Sequence, residues 1–163
     1  KKQSYEQNIT YAAKQLLIAG KEKGQKYFGI SGFLKTNAVK NKSLLDLASS
    51  IANAGKKVLL VNFDPELKEP VSPSYQILHA FERTDSFSYH VSRSDFDPEN
   101  HYDIVLFNLL PLLTNKAMLE RNMFFDSMLL SVKYGETQYR DFEDALEILR
   151  ENDLPLLGVL ANR

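Results

Sequence analysis

A chain of 163 residues with 44% hydrophobic and 25% charged residues has the size and balance of one globular domain, which excludes a disordered, fibrous or disulfide-stapled polypeptide. Its 20 Lys+Arg against 21 Asp+Glu leave a net charge of -1, too little to hold a phosphate backbone or an anionic bilayer, so no nucleic acid is expected as partner. Zero cysteines exclude disulfides, thiolate metal sites and a cysteine nucleophile, and no apolar run approaches the roughly 18–20 residues of a membrane helix.

The start, Lys1-Lys2-Gln3, lacks the apolar core of a signal peptide. The missing initiator Met, and an end at Arg163 directly after an apolar run, suggest a piece of a longer polypeptide. The first periodic segment, Tyr5 to Lys23, carries Ile9, Ala12, Ala13, Leu16 and Leu17 at helical spacing and ends on Gly20 and Gly24. Residues 1–24 are thus an N-terminal helix preceding an α/β core over 26–163. The run Lys26 to Ser31 predicts a strand, Gly32 to Asn37 a loop, and Leu44, Leu47, Ala48 and Ile51 a helix reaching Gly55. Val58 to Phe63 is almost wholly apolar, as a parallel strand covered on both faces requires, and Asp64 follows it.

Pro65 to Glu99 holds four of the six prolines and predicts loops and a short helix, with one apolar segment at Tyr75 to Phe81. Tyr102 to Phe107 and Asp126 to Lys133 predict two more strands, with a short helix between Asn115 and Asn122. In Gln138 to Asn152 the apolar Phe142, Ala145, Leu146 and Leu149 share one helical face, and Leu156 to Ala161 predicts the last strand. This alternation specifies a three-layer α/β fold, a mostly parallel, Rossmann-like sheet with helices on both faces. Such sheets bind ligands beyond the carboxyl ends of their strands, here Gly32 to Asn41, Asn62 to Asp64, Asn108 to Pro111, Lys133 to Gly135 and Asn162-Arg163.

The run LLSVKYGETQYRDFEDALEILRENDLPLLGVLANR orders a strand, a Gly turn, an acidic-basic helix, a Pro-led strand and a terminal Asn-Arg. With AGKKVLLVNFDPE and YDIVLFNLLP, it makes residues 26–163 resemble the cytoplasmic domain of bacterial tyrosine kinases, the BY-kinases attached to polysaccharide co-polymerases of capsule and exopolysaccharide export. In that family two aspartates end the second strand at the Walker A′ position; Asn62 and Asp64 stand there. The Walker B aspartate, which helps hold Mg²⁺, is matched by Asn108. Counting back from Gly55 through a helix of family length puts the phosphate-binding lysine at Lys40. In the related Min/Par ATPases this window is Lys-Gly-Gly-x-Gly-Lys-Ser/Thr, so Lys35 and Lys40 survive, Asn37 and Val39 replace glycines, and Asn41 replaces the hydroxyl. A second register uses Lys42 and Ser43.

A phosphate cradle needs glycine-permitted backbone, and a β-branched Val39 in a left-handed position would cost roughly 1–2 kcal/mol. Amides at positions 41, 62 and 108 supply neither the negative charge that holds a metal nor a base for a tyrosine hydroxyl. The resemblance therefore implies a vestigial nucleotide site of Lys35, Lys40, Asn41, Lys42, Ser43, Asn62, Asp64, Asn108, Asn162 and Arg163, with no catalytic residue, metal or cofactor expected. It implies a pseudokinase that assembles or regulates polysaccharide export at the inner face of the bacterial plasma membrane. Its partners would be the co-polymerase, other export proteins or itself, with membrane contact only through a partner or a flanking segment. An atypical ATP- and Mg²⁺-dependent kinase or ATPase using Lys40 or Lys42, Ser43 and Asp64 is the alternative, and a Min/Par-like positioning ATPase a second.

Other residues have plainer readings. Glu6 is followed at family spacing by Ile9 and Ala12 rather than the arginines of the Glu-x-x-Arg-x-x-Arg assembly pattern, which puts a ring built on them in doubt. The short gap between Asp64 and Asn108 implies reduced helices beside the site. Asp64 reads alone as a cap or turn residue. His79, His90 and His101 lack ligand spacing. Phe81, Phe87, Tyr89 and Phe96 read as packing before partner surface, and Met118, Met123, Phe124, Phe125 and Met128 as core.

Overall fold

The computed structural model describes residues 4–35, 38–80, 93–119 and 125–162. Its helices are α1 (Tyr5–Lys23), α2 (Ala38–Asn53) and α3 (Tyr139–Glu151). Its strands are β1 (Tyr27–Ser31), β2 (Val58–Asn62), β3 (Gln76–His79), β4 (Ile104–Asn108), β5 (Ser127–Lys133) and β6 (Leu156–Asn162). They form one parallel sheet in the order β3-β2-β4-β1-β5-β6. All five residues of β2 and of β4 are buried, which is why both read as unbroken apolar runs.

Each face of the sheet carries its own core. On one, Ile9, Ala12, Ala13, Leu16 and Ala19 of α1 and Leu44, Leu47, Ala48 and Ile51 of α2 close over Phe28, Ile30, Leu60 and Leu106. On the other, Ala145, Ile148 and Leu149 of α3 join Phe63, Phe96, Phe107 and Phe125. Ser4 and Gln7 form a capping box that starts α1, and Gly24 ends it at φ 65, a left-handed cap that glycine adopts without a Cβ penalty. Among the described residues no helix is long and apolar enough to cross a membrane.

Three local expectations are corrected. The segment at Tyr75 to Phe81 contributes strand β3 rather than helix or loop; it is a four-residue edge strand whose burial shows no helical or alternating period. Helix α2 begins at Ala38, so Val39 is helical and not in a left-handed loop, and the expected strain at that residue does not arise. Between Asn115 and Asn122 the chain makes a single 3₁₀ turn, Lys116–Leu119, with 120–124 outside the described residues. The short helix expected within 65–99 is met, among the described residues, by a 3₁₀ turn at Arg93–Asp95.

Phe96, Met118, Phe125 and Met128 are core residues as expected, and Phe81, Phe87, Tyr89, His90, Met123 and Phe124 lie outside the described residues.

The chain leaves β1 towards β2 on one side and leaves β5 towards β6 on the other. Diverging connections open a crevice at the carboxyl ends of these neighbours, as in other doubly wound sheets. A cleft of about 490 Å³ lies there, between residues 32–35 and 131–138, with Lys40 and Asp141 also lining it.

Candidate functional site

Two strand ends set the site. β2 and β4 pair in register so that Asn62 lies opposite Asn108, both fully buried. Asn108 Nδ2 donates to Asn62 Oδ1 at 2.9 Å and to Asn41 Oδ1 at 3.2 Å. Asn62 Oδ1 also accepts the Asp64 N–H at 3.0 Å, and Asn62 Nδ2 donates to the Asp64 carbonyl at 2.9 Å, so the amide staples the turn that follows its own strand.

Helix α2 brings the cation. Lys40, in its first turn, is 2% exposed, and its Nζ donates to Asn108 Oδ1 at 2.6 Å and to the Leu109 carbonyl at 3.1 Å. It stands 3.7 Å from Asp64 Oδ2. The next residue, Asn41, donates to that same carboxylate oxygen at 2.9 Å, while Asp64 Oδ1 accepts the Glu66 N–H at 2.9 Å. Asp64 is therefore both a turn cap and the anion of a buried ion pair. Burial pushes the Lys40 ammonium down to about 8, against the Asp64 carboxylate, which favours its charged form.

The network continues to the surface. Because Asn62 Oδ1 already accepts two hydrogen bonds, its Nδ2 faces His79 Nδ1 at 3.0 Å, and that ring nitrogen acts as acceptor. His79 then carries its proton on Nε2, 2.7 Å from Glu69 Oε1. His79 and Glu69 were not among the expected site residues; the edge strand that delivers His79 has no strong sequence signal.

Of the remaining expected residues, Ser43 bonds to the Val39 carbonyl and to Asn162 Oδ1, and Asn162 Nδ2 donates to Ser131 Oγ at 3.1 Å. This second buried cluster ties α2 to β5 and β6. Lys42 points away, bonded to Asp46 at 2.8 Å and placed over the Tyr5 ring. Lys35 is exposed and lines the cleft with Lys133, Thr137 and Gln138. Asn37 and Arg163 lie outside the described residues. The structure thus gathers Lys40, Asn41, Asn62, Asp64 and Asn108 into one network, sets Ser43 and Asn162 beside it in another, and leaves Lys35 and Lys42 apart.

Chemically, the first network holds one carboxylate, one ammonium and three amides. Among the described residues every buried side-chain nitrogen and oxygen has a hydrogen-bond partner, and no three His, Cys, Asp or Glu side chains are grouped to share a metal ion.

No family model matches the chain, and no curated protein matches it. Solved structures do. The BceF tyrosine kinase domain superposes with a TM-score of 0.74 at 18% identity, covering 98% of this chain and 77% of that one. The kinase domain of the Escherichia coli tyrosine kinase ETK gives 0.72 at 14% identity, over 94% and 73%. A cobyrinic acid a,c-diamide synthase from Mycobacterium smegmatis gives 0.57 at 14% identity, over 82% and 73%. The chain has the P-loop α/β fold of bacterial tyrosine-kinase domains.

Proposed function

We propose that this chain is a catalytically silent tyrosine-kinase-like module that assembles or regulates bacterial exopolysaccharide or capsule export. The observation that supports the silent reading is the Lys40 ammonium itself. It donates to Asn108 and the Leu109 carbonyl and stands 3.7 Å from the Asp64 carboxylate, at the strand ends where a P-loop protein would present a triphosphate and its divalent ion. A divalent ion there would meet a single carboxylate already shared with Asn41 and the Glu66 N–H, three neutral amides, and an ammonium 3.7 Å from that carboxylate. Oxygen-rich, negatively charged coordination is what such ions require, and this donor set does not fit one.

The biological setting rests on the resemblance of the kinase-like segment and on the fold shared with tyrosine-kinase domains. A scaffold kept without its chemistry serves through its surfaces, so the partners are the co-polymerase, other export proteins or further copies of the chain. The place of action is the cytoplasmic face of the membrane, reached through a partner or a flanking segment.

Calorimetric titration of the domain with ATP and ADP in the presence of Mg²⁺ tests this, together with mass spectrometry for phosphotyrosine after incubation with Mg·ATP. The expected result is no binding in the micromolar range and no phosphorylation. Micromolar binding with phosphorylation lost on Lys40→Ala establishes the atypical kinase instead, and nucleotide-dependent dimerisation the Min/Par-like ATPase.

A further inference from the structure

A line of hydrogen bonds runs from the buried cation to the surface, and every link in it donates in the same direction. Lys40 Nζ donates to Asn108 Oδ1 at 2.6 Å, Asn108 Nδ2 to Asn62 Oδ1 at 2.9 Å, Asn62 Nδ2 to His79 Nδ1 at 3.0 Å, and His79 Nε2 to Glu69 Oε1 at 2.7 Å. The line starts on an ammonium and ends on a carboxylate, so the dipoles of both amides and of the imidazole are aligned, the arrangement in which hydrogen bonds strengthen one another. Asn62 and Asn108 are fully buried, whereas the His79 side chain is 35% exposed. Protons from solvent therefore reach the line at His79.

Asn62 cannot turn to suit a changed ring. Its Oδ1 accepts the Asp64 N–H as well as the Asn108 amide, and its Nδ2 also donates to the Asp64 carbonyl, so a flipped amide would set donor against donor twice and acceptor against acceptor once. A proton added at His79 Nδ1 meets the Asn62 amide N–H where an acceptor is needed. What the added charge gains is the Glu69 carboxylate, which is 56% exposed and whose pull water weakens. The charges behind Asn62, Asp64 and Lys40, face each other.

Strand β3 buries little that would hold it otherwise. It is four residues long, with Ile77 its one half-buried side chain, and among the described residues it pairs with β2 alone. We infer that His79 is a pH-operated latch: uncharged, it fastens the edge strand to the buried network through Asn62, and protonated at Nδ1 it loosens that strand. Histidine is the side chain whose charge ordinarily changes between about pH 5 and 8, and elements with few buried contacts are the ones that open locally. In the open form the ends of β2 and β4 lose their tether to the surface, which makes this edge of the sheet responsive to acidification. Such a latch works whether or not the domain serves in export.

Nitrogen NMR of the ring reads the closed state: at about pH 7.5, below the value of about 8 to which burial pushes Lys40, His79 should carry its proton on Nε2. Amide hydrogen exchange reads the strand, each rate divided by the intrinsic rate at the same pH. The Ala80 N–H, bonded to the Asn62 carbonyl at 2.7 Å, is the reporter, and Leu106 in the buried β4 is the reference. From about pH 7.5 to about pH 5 the protection of Ala80 is expected to fall about tenfold more than that of Leu106. His79→Asn sets an amide oxygen where Nδ1 stands and does not titrate, so it should stay protected at both pH values. His79→Phe offers no acceptor and should be loose at both, while His101→Asn, at the other described histidine, should respond as the wild type does. Circular dichroism confirms that the variants are folded.

Unchanged protection of Ala80 in the wild type, or a fall that Leu106 shares in full, overturns the latch. So does a fall of the same size in His79→Asn, which would place the sensing group elsewhere, and so does a ring found with its proton on Nδ1 at the higher pH. Should His79→Phe fail to fold, the wild type and His79→Asn still decide between these outcomes. None of these results bears on the nucleotide titration, so the latch and the silent reading stand or fall separately.

Discussion

Lys40 concentrates the energetics of the buried network in one side chain. Removing its ammonium by Lys40→Met leaves Asn108 Oδ1 and the Leu109 carbonyl without this donor in a site closed to water, and the Asp64 carboxylate without its counter-ion. The expected cost is about 1–3 kcal/mol in denaturant unfolding at pH 7. Its pH dependence has a defined sign. Burial holds the folded-state value at about 8, whereas an unfolded lysine titrates near 10.4. Below about 8 both states are protonated and the full penalty of burying the charge applies. Between there and about 10.4 the unfolded chain binds more protons, so this group makes the wild type gain stability as pH rises. The Met variant lacks that gain, and the gap between the two curves should widen across this window. A gap that stays constant or narrows would mean that Lys40 is not held as described.

Strand β1 is anchored at the element scale by a carboxylate from elsewhere in the chain. Asp126 Oδ2 accepts the N–H groups of Lys26 and Tyr27 at 2.7 and 3.0 Å, and its Oδ1 accepts from Arg93 at 2.7 Å. Burial alone would raise this carboxyl, but these hydrogen bonds and the guanidinium outweigh it and hold it below the usual carboxylate range. A depressed folded value contributes stability that is present above about pH 4 and lost as the pH falls through the folded value. Asp126→Ala should cost about 2–3 kcal/mol at neutral pH and flatten the acid limb of the stability curve. An unchanged acid limb would deny the anchor.

How much of this was legible depends on what each element shows in one dimension. β2 and β4 announce themselves as apolar runs, and their terminal amides stand out because a buried strand end so rarely carries one. That Asn62 and Asn108 face each other is a matter of strand register, which no local pattern encodes. β3 hid because a short edge strand has only one face to bury, and with it went His79 and its bond to Asn62. The conformation of Val39 was misread for another reason. Expecting a phosphate loop made Val39 and Lys40 look irregular, whereas nothing in Ala38-Val39-Lys40-Asn41 opposes a helix.

For the molecule as a whole, a sheet, a crevice and a helix start are placed as a nucleotide fold requires, while the groups meeting there satisfy one another. Restoring charge should therefore separate scaffold from chemistry. In Asn62→Asp/Asn108→Asp, the Asn108 donors to Asn41 and Asn62 disappear and three carboxylates surround one ammonium. In chelator this variant should lose on the order of 2–4 kcal/mol, through unpaired amide groups and like-charge repulsion. Magnesium then has oxygens of the right charge, and ligand linkage returns about 2.7 kcal/mol at a hundredfold excess over its dissociation constant. The variant's melting midpoint should climb with MgCl₂ but not with KCl of equal ionic strength, whereas the wild type should respond to neither beyond ordinary screening. A wild type that gains as much from magnesium as the variant would show that its amides still hold the ion, and the silent reading would fall with that result.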